Sequence, residues 1–315
     1  MNSTKFNAIG IDVGGTKVAA GLLAFPEATV RLNREISTNP QRGGSAVLDD
    51  VVRLAADLMA EAQRAGTTID AIGLGLCELV SPTGGILSAS CIKWMGLPVQ
   101  DRFSALAPFT LEADVRAAAR AEALFGAGRD LRQFLYVTVG TGIACSLVID
   151  GEPFTGTRGA TGTMASAPWT RACEQCGHLS QGTLEECAAG PSLVRRLNQR
   201  SPDSARTGHE VVAAALAGDS EALAVVRTAA EALGTTVALL INVLDPGAVI
   251  VGGGLGLAEG PYWEAFVDST RHHVWSGVHR DIPIARAGTG PEAGVIGAAV
   301  ATWRKFGFES VMAPA

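Results

Sequence analysis

No run of lysines and arginines interleaved with aromatics occurs anywhere in these 315 residues, where Lys+Arg number 25 against Asp+Glu 31. With a formal net charge of −6, the chain carries no electrostatic footprint for nucleic acid. No secretory leader is expected, because Met1 to Lys5 is polar and too short for an apolar core segment. No stretch supplies the roughly 20 unbroken apolar residues of a membrane span. The greasiest stretch, Gly234 to Ala258, is interrupted by Asp245-Pro246 and by Gly252-Gly253-Gly254. Cysteines number only six; without a leader they point to reduced thiols in a cytoplasm. Charged residues are scarce at 18% against 47% hydrophobic, which excludes a disordered chain.

What is abundant is glycine: 38 residues, clustered beside apolar runs, where backbone approaches a ligand or another strand closely. Ala8 to Leu23 reads as an apolar strand, a Gly-Gly turn and a second apolar strand; Phe134 to Asp150 repeats the design. Aligning Asp12 with Thr138 superposes Val13 on Val139 and Gly14 on Gly140, which suggests an internally duplicated fold. Around these hairpins strands and helices alternate. Ala46 to Ala65 places Val47, Val51, Leu54, Leu58 and Ala62 on one helical face. Ala71 to Leu76 is a short buried strand, Val115 to Phe125 an Ala-rich helix, and Glu221 to Val243 a long apolar helix. Ala248 to Val251 is a strand, and Gly294 to Phe306 a closing helix. The class is α/β. Two lobes are expected, residues 1–113 and 114–295, with a linker near Thr110 to Val115 and the last helix, about 296–315, returning to the first lobe.

Three glycine turns carry the chemistry. In Asp12-Val13-Gly14-Gly15-Thr16-Lys17, glycines let amides approach phosphate oxygens, a hydroxyl and an ammonium add donors, and the carboxylate can hold Mg2+. Gly140-Thr141-Gly142 offers a second donor turn. Each alone reads more readily as a plain tight hairpin; together, on opposite lobes and with a third glycine cluster, they would clamp a nucleoside triphosphate. Gly252-Gly253-Gly254, between a strand and a helical segment, can admit adenosine or its phosphates. The spacing is not the G-x-G-x-x-G of a dinucleotide fold.

The ordered set DxGGTK, an Asp before an Ala-rich helix, GTG, a Cys–Gly segment, LDPxxxxxGGG and GxxGAA resembles the ROK family, from Ile9 to about Ala301. The resemblance implies a duplicated actin-like, ribonuclease H-like fold with a central cleft. It further implies ATP and Mg2+, transfer of phosphate to a primary hydroxyl of a hexose, and a homodimer. Some relatives are repressors with an additional N-terminal DNA-binding segment, for which a first strand at Phe6 leaves no room.

The family's catalytic aspartate matches Asp114, although the Asn that precedes it in the family is Ala113 here. A carboxylate there can take the proton of an attacking hydroxyl; Asp114 also fits as the cap of the helix that follows. On the substrate side the match fails. The glycine skeleton of Gly156-Thr157-Arg158-Gly159-Ala160-Thr161-Gly162 survives. Thr163 replaces the family's sugar-binding glutamate, and Ser166 the histidine that contacts sugar and ligates zinc. Ser90 or Cys91 stands where an asparagine precedes Trp94. Only Asp114 and Glu185 remain of the family's sugar ligands. Glu78, in place of a turn glycine, could meet an amine or an extra hydroxyl, or be an ordinary surface glutamate. A site with these groups replaced predicts a polyol other than plain glucose: a non-standard hexose, an amino sugar or a cyclitol. Cys173 and Cys176 are candidate zinc ligands in a remodelled loop, with His178 and Cys187 available to complete four; two free thiols are the plain alternative. A non-catalytic sensor of the same fold is the rival expectation for function.

Overall fold

The computed structural model describes residues 5–172 and 179–307, in two compact units. The first is built from the described residues up to Asp130, from Gly151–Thr161, and from Pro291 onward. Its sheet holds β1 (Phe6–Val13), β2 (Lys17–Phe25), β3 (Thr29–Ser37), β4 (Ala71–Leu76) and β5 (Phe109–Ala113), in the order β3-β2-β1-β4-β5. β1 pairs antiparallel to β2 and parallel to β4, which is parallel to β5. Every residue of β4 is buried, so the strand is apolar throughout instead of alternating. On one face lies α1 (Gly44–Arg64), whose buried residues include the stripe Val47, Val51, Leu54, Leu58 and Ala62. Beyond it the chain adds the short α2 (Val99–Ser104).

The opposite face of the sheet is covered by helices distant in sequence. α3 (Asp114–Phe125) follows β5 directly, so Thr110 to Val115, where a linker is expected, runs from strand into helix within the first unit. The closing α10 (Ala293–Thr302) is buried along nearly its whole length. It can lie directly on the strands because Gly10 and Gly73 have no side chain. A Cβ at Gly10 would overlap the Val295 carbonyl, and one at Gly73 that of Ala298. The excursion Gly151–Thr161, with the two-residue β8 (Glu152–Pro153), docks on α3 through buried arginines. Arg116 donates to the carbonyls of Gly159 (3.0 Å) and Val80 (2.6 Å), and Arg120 pairs with Glu152.

The second unit starts with β6 (Gln133–Val139) and β7 (Ile143–Ile149). Next come the antiparallel pair β9 (Pro168–Ala172) and β10 (Leu179–Thr183), and α4 (Leu184–Ala188), α5 (Gly190–Asn198) and α6 (Gly208–Leu216). α7 (Ser220–Leu244), β11 (Val249–Gly252), α8 (Pro261–His273), α9 (Gly277–Arg280) and β12 (Ile284–Arg286) complete it. Asp219 caps α7 by accepting the amides of Glu221 and Ala222, and Asp245 ends it at φ 49° before Pro246. α7 is long and apolar enough to cross a membrane, yet 56% of its most apolar stretch is buried inside the unit. Val225, Leu233, Val237 and Ile241 belong to one core with Tyr262 and Phe266 of α8.

The duplication is visible strand by strand. In the second sheet β12, β11, β6 and β7 follow one another as β5, β4, β1 and β2 do in the first. Asp12 opposes Ala19 and Val13 opposes Val18; likewise Thr138 opposes Ala144 and Val139 opposes Ile143. Across the parallel neighbour, Asp12 faces Gly75 and Thr138 faces Gly252. The register superposes Asp12 on Thr138, as the sequence alignment of the two hairpins does.

Gly73→Ala should push α10 off the sheet. The overpacking is expected to cost about 1–3 kcal/mol, seen as a lower urea midpoint for the first unit.

Candidate active site

In the first unit, β1, β4 and β5 run parallel and end together, the place where open α/β sheets gather ligands. Asp12 is the penultimate residue of β1, and Asp114 the first of α3. Gly75 separates them: a Cβ there would stand 3.5 Å from the Asp114 backbone and 3.7 Å from Asp12 Oδ1. Gly294 of α10 closes over Asp12, leaving no space for a side chain of its own. Both carboxylates are therefore crowded by protein while part of each residue stays open. Burial pushes Asp12 up to about 6, against the pull of Lys17. Burial first, then the charge of Asp12, pushes Asp114 up to about 7, with the Val115 amide opposing.

Asp114 is not the cap of α3. Ala113 holds that position, without a side-chain bond, and Asp114 Oδ1 accepts the amide of Val115 at 2.6 Å. The hairpin beside it is tied by Gly14 N–H to Lys17 O (3.0 Å) and by Thr38, whose hydroxyl donates to Gly14 O (2.6 Å) and whose amide donates to Thr16 O (3.0 Å). Among the described residues, no hydrogen bond engages the amides of Gly15 and Thr16. Lys17 is exposed and paired with Glu35 at 2.7 Å, a contact that costs little to exchange.

The second unit gathers a different set at the end of β6. Gly140 donates to Gly142 O (2.9 Å) and accepts from the Gly190 amide (2.9 Å) at the start of α5; Thr141 between them is exposed. A Cβ on Gly140 would meet the Gly254 amide at 3.7 Å, so the two turns adjoin. Gly253 turns at φ 80°, where a Cβ would overlap the backbone of Val139 and a side chain is excluded. Gly252 closes β11 against the Tyr136 ring. Glu185, in the first turn of α4, accepts the Ile143 amide at 2.9 Å, bracing the Gly140–Gly142 turn. His209 bonds the Gly254 carbonyl at 3.1 Å; as a lone histidine in a polar stretch it gives no sign of this in the sequence.

The substrate-side candidates scatter. Thr163 belongs to the second unit, and its carbonyl accepts the Ser166 hydroxyl at 2.9 Å. Gly159 is in the first unit at φ 78°, where a Cβ would overlap Val80 and Ser81, and its carbonyl is taken by Arg116. Glu78 is neither a surface glutamate nor an open ligand: it is 6% exposed, and its carboxylate is bonded to the segment holding Ser90 and Cys91. Ser90 is exposed; the Cys91 thiol presses against Gly15 and hydrogen-bonds with Cys77, whose own thiol that bond and burial hold protonated. Trp94 is core, donating to Gly44 O at 3.0 Å. Cys173, Cys176 and His178 lie outside the described residues. Cys187 is buried in α4 against Arg196, and no three His, Cys, Asp or Glu side chains among the described residues are grouped to hold a metal ion.

Two units of matching strand order, one ending in paired acids and the other in glycine donor turns, define the class of duplicated actin-like α/β proteins. The chain belongs to the ROK family, whose model matches residues 8–305. It is 29% identical to the glucokinase of Streptomyces coelicolor over 92% of this chain and 96% of that one. It is 30% identical to the N-acetylmannosamine kinase of Shigella boydii over 93% and 97%. Among solved structures, a ROK family glucokinase from Streptomyces griseus, in complex with glucose and AMPPNP, superposes with a TM-score of 0.80 at 28% identity, covering 94% of this chain and 98% of that one.

A carbon-13 NMR titration should find the Asp114 carboxyl changing protonation near pH 7, well above an ordinary aspartate. Asp12→Asn removes the neighbouring negative charge and should move that midpoint down; an unmoved midpoint would show that the two acids do not interact.

Proposed function

We propose that the chain transfers the terminal phosphoryl group of ATP to a primary hydroxyl of a sugar-like polyol other than plain glucose. As a ROK family member matched along its length by glucokinases and N-acetylmannosamine kinases, it is a sugar kinase. The observation that carries the finer reading is Asp114: crowded, raised to about 7, and beside the glycine hairpin of β1. A base near neutrality is matched to a sugar hydroxyl.

In the proposed reaction, Asp114 accepts the proton of the acceptor hydroxyl as its oxygen bonds to the γ-phosphorus. The bond from that phosphorus to the β-bridging oxygen breaks, and ADP leaves. In the first unit the amides of Gly15 and Thr16 and the Lys17 ammonium are the phosphate donors, and in the second unit the Gly140–Gly142 turn offers donors of the same kind. Gly252, Gly253 and Gly254, with His209 bonded to the last, take the adenosine side. Asp12, a crowded carboxylate that feels the charge of Lys17, fits Mg2+, which binds through one or two carboxylates together with substrate phosphates. When bound, Mg2+ supplies charge neutralisation on those phosphates. Glu185 keeps one oxygen beyond the Ile143 bond for orienting the acceptor ring.

The non-glucose reading is supported by Thr163, Ser166 and Cys91, small or weakly bonding groups where the family uses stronger ones. A site lacking those partners favours an acceptor with correspondingly fewer hydroxyls to satisfy.

The test is ADP release in a coupled assay with glucose, N-acetylmannosamine, free amino sugars and cyclitols. ATP turnover should rise with a non-glucose polyol more than with glucose. Asp114→Asn should lower kcat about 10²–10⁴-fold with an unchanged melting temperature. Because the base is the carboxylate, the wild-type rate should fall as pH drops below about 7 and level off above it. Nucleotide binding with no polyol-stimulated turnover would mark a sensor instead.

A further inference from the structure

The Glu78 carboxylate ends in a closed net. Oε1 accepts the amides of Cys91 (2.5 Å) and Ile92 (2.7 Å), while Oε2 accepts the Ser90 amide (3.0 Å) and the Ser88 hydroxyl. A carboxylate has about four acceptor sites, and all are engaged. Three successive amides converging on one anion form a backbone nest of the kind that elsewhere holds a phosphate or carboxylate ligand. Here the occupant is the chain's own side chain. Its charge, shut off from water, is held by those charge-assisted bonds. The Leu79 amide, donating to Ser88 Oγ at 2.9 Å, closes the loop from the other side.

Residues 88–93 have no helix or strand of their own, so this net is what shapes them. What it shapes reaches the glycine hairpin that follows β1. The Cys91 thiol is pressed on Gly15, so that a Cβ at that glycine would stand 2.6 Å from Sγ. Cys91 and Ser90 are both partly or fully open to solvent, whereas Glu78 is not.

We propose that Glu78 is a positioning residue for the acceptor site, fixing Ser90 and Cys91 as the wall beside Asp114 and touching no substrate itself. The assignment rests on Asp114 being the base of the proposed kinase. It deepens that reading in one respect: with its four acceptor positions filled, Glu78 has none left for direct contact with an ammonium on the acceptor, and the polyol that this wall selects is a neutral one.

Glu78→Gln tests this in the full chain. The amide keeps the shape but turns two donors toward donors. Hydrogen exchange of the Ser90, Cys91 and Ile92 amides should quicken at least tenfold, with β4 amides unchanged as the measure of an intact fold. With the polyol that the wild type turns over best, KM for the polyol should rise about tenfold or more. KM for ATP should stay within twofold, and a neutral polyol should remain preferred over its amino counterpart in the wild type. Should Glu78→Gln not fold, Ser88→Ala removes one donor of the four and should raise the polyol KM severalfold in the same selective way. Unaltered exchange, or quickened exchange with an unaltered polyol KM, overturns the assignment and leaves the kinase reading standing. A wild type that phosphorylates no polyol sinks the kinase reading, and the acceptor role of Glu78 with it.

Discussion

Two aspartates held close together at the ends of parallel strands set the terms for everything near them. Placing like charges on either side of a single glycine is unfavourable, and burial makes it more so, because desolvation and mutual repulsion raise the same protonation equilibria. The sheet imposes the arrangement. β1 and β4 are in parallel register with Asp12 opposite Gly75, and α3 begins where β5 stops, so its first residue arrives beside that glycine. α10, lying directly on the strands, brings Gly294 over Asp12. A pair of acids held at this cost makes sense where a cation joins one and a proton is exchanged at the other.

The net around Glu78 is the counterpart of that strain. It is also a buried carboxylate, yet four donors satisfy it, and a satisfied buried anion stiffens its surroundings. Cys77 hydrogen-bonds with Cys91, so the segment is fastened to the end of β4 by thiols as well as by the carboxylate. The two mutually repelling acids are suited to chemistry and the fully bonded one to scaffolding, though all three belong to the same unit.

Much of this was legible from residues alone, and the reasons differ by element. Helix α1 could be read because five apolar residues repeat on one face, and all five are buried. The duplication could be read because a strand–glycine–strand pattern survives wherever the backbone must turn tightly, whatever the side chains do. The place of α3 was less legible. Thr110 to Val115 looks like a junction by composition, but the helix packs with the sheet it follows, and packing depends on α10, nearly two hundred residues away. Glu78 and His209 were the hardest. A lone glutamate after a strand, or a lone histidine in a polar stretch, has no periodicity or spacing to betray it. Its partners are amides and carbonyls, which every residue carries.

Internal duplication gives the two halves one strand order with different residues at matching positions. Matching strand order and register put Asp12 where the second copy has Thr138, and Gly75 where it has Gly252. A threonine adds no charge, so the second copy escapes the repulsion that crowds the first. Its strand end can instead accommodate two adjoining glycine turns, braced by Glu185 through the Ile143 amide. Backbone donors suit an anionic ligand, whereas paired carboxylates repel one unless a cation intervenes. From one repeated backbone, then, the exchange of aspartate for threonine puts a carboxylate at the end of β1 and an uncharged hydroxyl at the end of β6, so matching strand ends differ in charge while sharing their register.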